Sequence, residues 1–176
     1  MKTTMVAVIS KDGLLTKGTD ADVSGWTSPE DKEFFSRIKS EHNLYIMGRK
    51  TYESVAIEPD TGILRIVMTR NPEKYNDLSM EGQLEFTDKS PKDIVTKYQS
   101  LYESCLLLGG GEIYEEFLKQ NLVSEIFLTV EPVVHKSGTP LLSSSKKLAS
   151  FIGNINPETK ILNAGGTKLL HYVLNL

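Results

Sequence analysis

The chain is poor in the residues that build the commonest special sites. Its 176 residues include one cysteine, Cys105, which excludes an internal disulfide and any multi-cysteine metal centre. Three histidines are present, His42, His135 and His171. They have no metal-ligand spacing to one another or to Cys105, and no Ser-His-Asp arrangement can be drawn from them. No apolar run approaches the roughly 18 residues of a membrane span. Met1-Lys2-Thr3-Thr4 leads into only five apolar residues before Ser10-Lys11-Asp12, too few for a secretory leader. Excess positive charge is also lacking. Lysine plus arginine total 20 against 23 acidic residues, a net charge of -3, so there is no broad basic field of the kind a general nucleic-acid binder needs. Neither nucleic acid nor membrane is expected as a partner, and a reducing, cytoplasmic setting is the default.

What remains is an ordinary globular composition, 39% hydrophobic and 24% charged, at a length suited to one domain spanning residues 1–176. Four short apolar runs, Met5–Ile9, Leu44–Met47, Leu64–Met68 and Cys105–Leu108, end in Gly, Ser, Thr or Asp and read as buried strands. Strands apolar on both faces predict a mostly parallel sheet covered by helices on each side. Ser28 to about His42 sets Phe34, Phe35 and Ile38 at helical spacing. Pro91 to about Tyr102 and Glu112–Gln120 give two more helices. Glu125–Val134 and Lys168–Leu176 read as strands with no helix between them, so the sheet ends in an antiparallel edge. Long loops at Ser10–Thr27 and Ser54–Ile63 border the carboxyl ends of strands, where open α/β sheets bind ligands.

Three constellations carry chemistry. Gly109-Gly110-Gly111 joins an apolar strand to a helix, which suits either a tight turn or a pyrophosphate at a helix N-terminus. The spacing is neither the dinucleotide fingerprint nor a P-loop, and Glu112 would repel a phosphate placed directly on it. Met47-Gly48-Arg49-Lys50-Thr51-Tyr52-Glu53-Ser54 follows another strand and combines a glycine, two cations and a hydroxyl, a group able to hold a phosphate. Thr69 and Arg70 lie just past a third strand. In Trp26-Thr27-Ser28-Pro29-Glu30-Asp31, Ser28, Pro29 and Asp31 make a capping-box-like helix start. Yet Asp31 falls on the apolar stripe, where a carboxylate is costly without a partner. Cap and functional acid both stand as readings, with Glu30 pointing to solvent. Cys105 reads as a buried, unreactive thiol.

Taken in this order, these blocks resemble the dihydrofolate reductase superfamily from Met5 to about Leu142. The resemblance rests on Met5–Ile9, Trp26 with Asp31, Ile46–Ser54, Arg65–Arg70 and Leu108–Tyr114. It implies a central eight-stranded, mostly parallel mixed sheet with helices on both faces, and NADPH as cofactor. It places Arg49 and Arg70 at the 2′-phosphate, and Lys50, Thr51 and the glycine turn at the pyrophosphate, with Ala7, Gly48, Thr69, Glu112, Ile113 and Tyr114 as further cofactor residues. It also implies a cis peptide between Gly109 and Gly110. Asp31 becomes the pterin-binding acid, Trp26 the residue that helps position an ordered water, and Val8, Phe35 and Thr129 the substrate wall.

The chain departs from that pattern in two places. The loop between Asp12 and Trp26 is longer than usual and lacks the usual mobile-loop sequence. The arginine that grips the folate glutamate tail is replaced by Ile63. Ser10–Gly13, Thr27–Asp31 and Leu122–Pro132 are instead similar to the riboflavin-pathway reductase branch, whose Asp-Asp-Pro-Arg loop is missing. The resemblance thus implies an NADPH-dependent reductase of dihydrofolate or a related dihydropterin. The alternatives are the aminopyrimidine ribose reductase of riboflavin synthesis and a catalytically silent nucleotide-binding relative. The partner is a small molecule, no metal is expected, and the protein is a monomer or homodimer.

Overall fold

The structure is a computed structural model and describes residues 1–20, 22–55, 60–144 and 146–174. Its elements run in the order β1 (Lys2–Ser10), α1 (Pro29–Ser40), β2 (Leu44–Gly48), α2 (Arg49–Ser54), β3 (Leu64–Met68), a 3₁₀ turn (Pro72–Leu78), β4 (Leu84–Thr87), α3 (Pro91–Tyr98), β5 (Ser104–Leu107), α4 (Gly111–Lys119), β6 (Glu125–Glu131), α5 (Ala149–Ile152), β7 (Glu158–Ile161) and β8 (Lys168–Val173). The strands form one eight-stranded sheet in the order β4-β3-β2-β5-β1-β6-β8-β7. Pairings from β4 to β6 are parallel, and β8 runs antiparallel to both β6 and β7. The fold is therefore a single α/β domain around a mixed, mostly parallel sheet.

The apolar runs become central strands because both of their faces are covered. Met5, Ala7 and Ile9 on one face of β1 pack with Ile94 and Tyr98 of α3 and with Ile113, Tyr114, Phe117 and Leu118 of α4. Val6, on the opposite face, packs with Phe34 and Ile38 of α1. Residues of β6 alternate in the same way, so Phe127 meets Phe34 at a ring separation of 5.3 Å. Thr129 and Glu131, two and four residues further on, share that α1-side face.

Two strands went unread in the sequence. Leu84–Thr87 is a half-buried edge strand, and Glu158–Ile161 is exposed along its whole length, so neither carries a hydrophobic period. The latter is held by backbone pairing to β8 through a turn in which the Gly166 N–H donates to the Asn163 carbonyl. Four expectations need correction. A short helix, α5 (Ala149–Ile152), does lie between the Glu125 and Lys168 strands, and the first of these ends at Glu131 rather than Val134. Phe35 lies off the buried stripe of α1, which is Asp31, Phe34 and Ile38, and is 37% exposed. Helix α3 stops at Tyr98 rather than Tyr102. Glu30 is not free in solvent, because it accepts a hydrogen bond from Asn163 Nδ2 at 2.9 Å. Residues 56–59 of the Ser54–Ile63 loop and 175–176 of the last expected strand lie outside the described residues.

Candidate active site

The parallel strands β1, β2, β3, β5 and β6 deliver their carboxyl ends to one edge of the sheet. The chain leaves β2 toward β3 and leaves β5 toward β6, in opposite directions, which opens the crevice where such sheets take ligands. Two helices start there. Their N-caps are Gly48 for α2 and Gly110 for α4, so no side chain closes over either set of free N–H groups. The Gly48 N–H donates to the Gly109 carbonyl at 2.7 Å. The Gly109–Gly110 peptide is cis, as the resemblance implied.

Each glycine has its own reason. Gly109 sits at φ +95°, and a Cβ there would meet the Tyr114 hydroxyl at 2.8 Å. Tyr114 is buried and donates that hydroxyl to the Val6 carbonyl at 2.6 Å, tying the turn to β1. Burial pushes its phenol well above the ordinary range. A Cβ on Gly48 would meet Ile113 at 3.0 Å, and one on Gly111 would meet the Pro140 and Leu141 carbonyls at 3.1 Å. At Gly110 the only neighbour within 4 Å among the described residues would be the Thr51 hydroxyl, at 3.8 Å. The space above Gly110 is open on the crevice side, a cradle fit for a pyrophosphate.

Around this cradle the cations are spread out. Arg49 forms an ion pair with Glu53 at 2.5 Å, and Glu53 also accepts from the Tyr75 hydroxyl. Lys50 and Arg70 are exposed. Thr69 accepts from the Asn71 N–H, and Glu112 begins the first turn of α4. Ala7 is buried in β1 next to half-buried Val8.

A second cluster of the candidate site centres on Asp31. The Ser28 hydroxyl accepts from the Asp31 N–H at 3.3 Å, so the cap uses Asp31's backbone. The reciprocal bond of a capping box would run from the Ser28 N–H to the Asp31 carboxylate. That N–H donates instead to Glu131 at 2.7 Å. Asp31 is 7% exposed, and its carboxyl is held above the ordinary range. Burial is the largest cause, and the Glu131 charge adds to it; the Thr129 hydroxyl and Lys32 pull the other way. Val8 pairs with Thr129 across β1 and β6. Trp26 packs edge-on against His135 at 4.5 Å, and its indole N–H is buried with no partner among the described residues.

The loop after β1 is pinned to the segment after β6. Leu15 N–H donates to the Thr139 carbonyl at 2.7 Å and Gly18 N–H to the Ser137 carbonyl at 2.9 Å. The Asp12 carboxylate accepts from the N–H groups of His135 and Lys136. Sequence reasoning did not single out Glu131, Asn163 or Thr167. The one available signal was Glu131's place on the Phe127–Thr129 face of β6. Cys105 is buried as expected, and burial pushes its thiol up to about 11.

A family model described as Dihydrofolate reductase matches residues 2–140. The chain belongs to the dihydrofolate reductase family. A candidate dihydrofolate reductase of Caenorhabditis elegans is 31% identical over 137 residues, 71% of this chain and 68% of that protein. Of the bifunctional dihydrofolate reductase-thymidylate synthase of Paramecium tetraurelia, 29% identical over 104 residues, the chain covers 21%. Among solved structures, a candidate riboflavin biosynthesis protein of Shewanella sp. PV-4 is similar over 100% of both chains, with TM-score 0.75 at 17% identity. Dihydrofolate reductase of Enterococcus faecalis, complexed with NADP(H), is similar over 99% of this chain and 97% of that one, with TM-score 0.70 at 19% identity. Family and fold together support a reductase acting on a small molecule. Among the described residues no helix is long and apolar enough to cross a membrane.

Proposed function

We propose that the protein is an NADPH-dependent reductase that takes dihydrofolate, or a related dihydropterin, to its tetrahydro form. The observation that carries this reading is the Asp31 carboxylate. It is buried beside Thr129 and released from capping, because Glu131 takes the Ser28 N–H. NADPH, when bound, supplies the hydride. Gly48, Lys50, Thr51 and Gly109–Gly111, with Glu112 and Ile113 framing them, would hold its pyrophosphate. Arg49, Thr69 and Arg70 would take the 2′-phosphate, and Ala7 and Tyr114 would shape the nicotinamide end.

Asp31 accepts hydrogen bonds from the amino and ring N–H groups of the pterin as a charged, two-oxygen acceptor. In a poorly screened pocket its negative charge also favours a cationic substrate. It thereby raises the fraction protonated at the ring nitrogen beside the carbon to be reduced. Val8, Phe35 and Thr129 wall the substrate, and the unpartnered Trp26 N–H has the polarity to hold an ordered water there. Exposure of Phe35 suits a side chain that packs on substrate rather than on the core. The enzyme works in the cytoplasm as a monomer or homodimer.

A second reading, reduction of the ribose of a phosphorylated aminopyrimidine, is favoured by Ile63. This apolar residue, packed on the α1-side cluster, stands where the family's tail-gripping arginine would be. Purified protein with NADPH and either dihydrofolate or the ribosylated aminopyrimidine, followed by loss of reduced-cofactor absorbance, separates the two. Turnover of the aminopyrimidine alone would overturn the folate assignment.

A further inference from the structure

The C-terminal hairpin reaches the start of α1 through hydrogen bonds to two carboxylates, Glu131 and Glu30. Glu131, 2% exposed at the end of β6, accepts from the Ser28 N–H at 2.7 Å through one oxygen and from the Thr167 hydroxyl at 2.7 Å through the other. Thr167 is itself buried and held in turn by Asn163, whose amide donates to the Thr167 hydroxyl at 3.0 Å and to the Glu30 carboxylate at 2.9 Å. The Asn163 side-chain oxygen accepts from the Thr167 N–H. A continuous chain of hydrogen bonds therefore runs from Glu30 through Asn163, Thr167 and Glu131 to Ser28. It holds the start of α1 at Ser28 and at Glu30, the residue immediately before Asp31. Residues 163 and 167 lie beyond the 2–140 span matched by the family model.

We propose that Glu131 is a positioning residue for Asp31: with the Asn163–Thr167 turn it fixes the start of α1, and it places a second negative charge beside the carboxylate that faces substrate. This rests on the reading of Asp31 as the substrate-binding acid. A buried acceptor with both oxygens engaged holds its partners far more tightly than exposed contacts do. The charge has a separate effect. The charged groups facing Asp31 are Glu131 from β6 and Lys32 from its own helix, while the hairpin turn contributes the neutral Asn163 and Thr167. The Glu131 charge raises the proton affinity of the Asp31 carboxyl, and two negative charges together favour a cationic substrate more strongly than one does.

Two variants separate tether from charge. Glu131→Gln keeps an oxygen for the Ser28 N–H and an amide for Thr167 but removes the charge. Thr167→Val keeps the charge and cuts Glu131's link to the hairpin. The readouts are the Asp31 carboxyl titration followed by carbon NMR on the protein alone, and kcat/KM against pH with NADPH and dihydrofolate. Glu131→Gln should move both the Asp31 titration and the alkaline fall of kcat/KM to lower pH. Thr167→Val should leave that midpoint in place and lower kcat/KM by roughly tenfold or more, the scale of a misplaced binding group. Unshifted titrations in a folded Glu131→Gln protein, or normal kcat/KM in Thr167→Val, would overturn the proposal. A shifted Asp31 titration in Glu131→Gln, with a wild type that turns over no pterin, would leave Glu131's effect intact and defeat the functional reading instead.

Discussion

The Gly48 N–H donates to the Gly109 carbonyl at 2.7 Å, which makes the two glycine turns one unit. Consecutive glycines in that unit nevertheless answer to different demands. Gly109 needs its positive φ and has the Tyr114 ring against it, whereas Gly110 has an ordinary φ of -79° and open space. Gly109→Ala should lower stability by about 1–3 kcal/mol through strain and the displaced tyrosine, visible as a fall in the urea midpoint. Gly110→Ala should leave that midpoint nearly unchanged and weaken NADPH binding, because the added methyl points into the cradle. Equal destabilisation by both would show that the protein's own packing, and not a ligand, requires the glycine at 110.

Cofactor preference follows from the cations beside that cradle. Arg49 and Glu53 pair across a surface where each side chain is about two-fifths exposed, 41% and 42%, so the pair contributes little to folding and yields readily to a phosphate. Arg49→Ala should cost NADPH about 1.5–3 kcal/mol of binding, at least about tenfold in affinity. NADH, which has no 2′-phosphate, should change little. Fluorescence titration of the two cofactors measures this, and a wild-type protein that binds both equally would remove Arg49 and Arg70 from the site.

The parallel core was legible because its strands are apolar on both faces, as in Leu44–Met47 and Leu64–Met68. The glycine turns were legible because no side chain stands at 109–111. Glu158–Ile161 was not, since an exposed edge strand is set by its partner's backbone and leaves no apolar period. Asp31 could be flagged as an acid on an apolar stripe. Its release from the capping box could not be read, because the residue that releases it, Glu131, lies 103 positions from Ser28. Hydrogen-bond networks that join distant segments write no local pattern. Asn163 and Thr167 were missed, and Glu30 was read as solvated, for the same reason.

Ile63 sets an expectation about substrate length. The two cations nearest to taking over a tail carboxylate are already engaged. The Arg65 guanidinium lies over the Tyr45 ring at 5.8 Å and donates to the Ile63 carbonyl, and Lys32 donates to the Ser24 carbonyl at 2.7 Å. A dihydropterin without the glutamate should therefore be reduced with kcat/KM within about fivefold of dihydrofolate, the most an exposed ion pair supplies. A much larger preference for dihydrofolate, lost in Arg65→Ala, would show that Arg65 leaves Tyr45 to grip the tail.

Asp31→Asn tests the acid against the cap, because the two roles predict opposite signs for stability. The cap bond runs from the Asp31 N–H to Ser28 and survives the substitution, whereas Ser28→Ala should cost about 1 kcal/mol. Burial, reinforced by Glu131, holds the Asp31 carboxyl above its unfolded value. A group raised in this way favours the folded state while protonated, below its unfolded pKa, and that contribution is lost as pH rises through the folded pKa. At neutral pH the ionised Asp31 is thus a burden on folding, and Asp31→Asn should be at least as stable as wild type. Near pH 3, where both states of wild type are largely protonated, that advantage should vanish. Activity should move the other way. Without the charge, the substrate ring nitrogen must take its proton unaided, and kcat at pH 7 should fall by roughly 10² or more. The deficit should shrink on acidification, as protonation of the substrate in water becomes easier. Thermal melts and kcat measured across pH 5–8 check both halves. A variant less stable at neutral pH, with an unchanged pH–rate profile, would make Asp31 a helix cap and remove the ground for a pterin substrate.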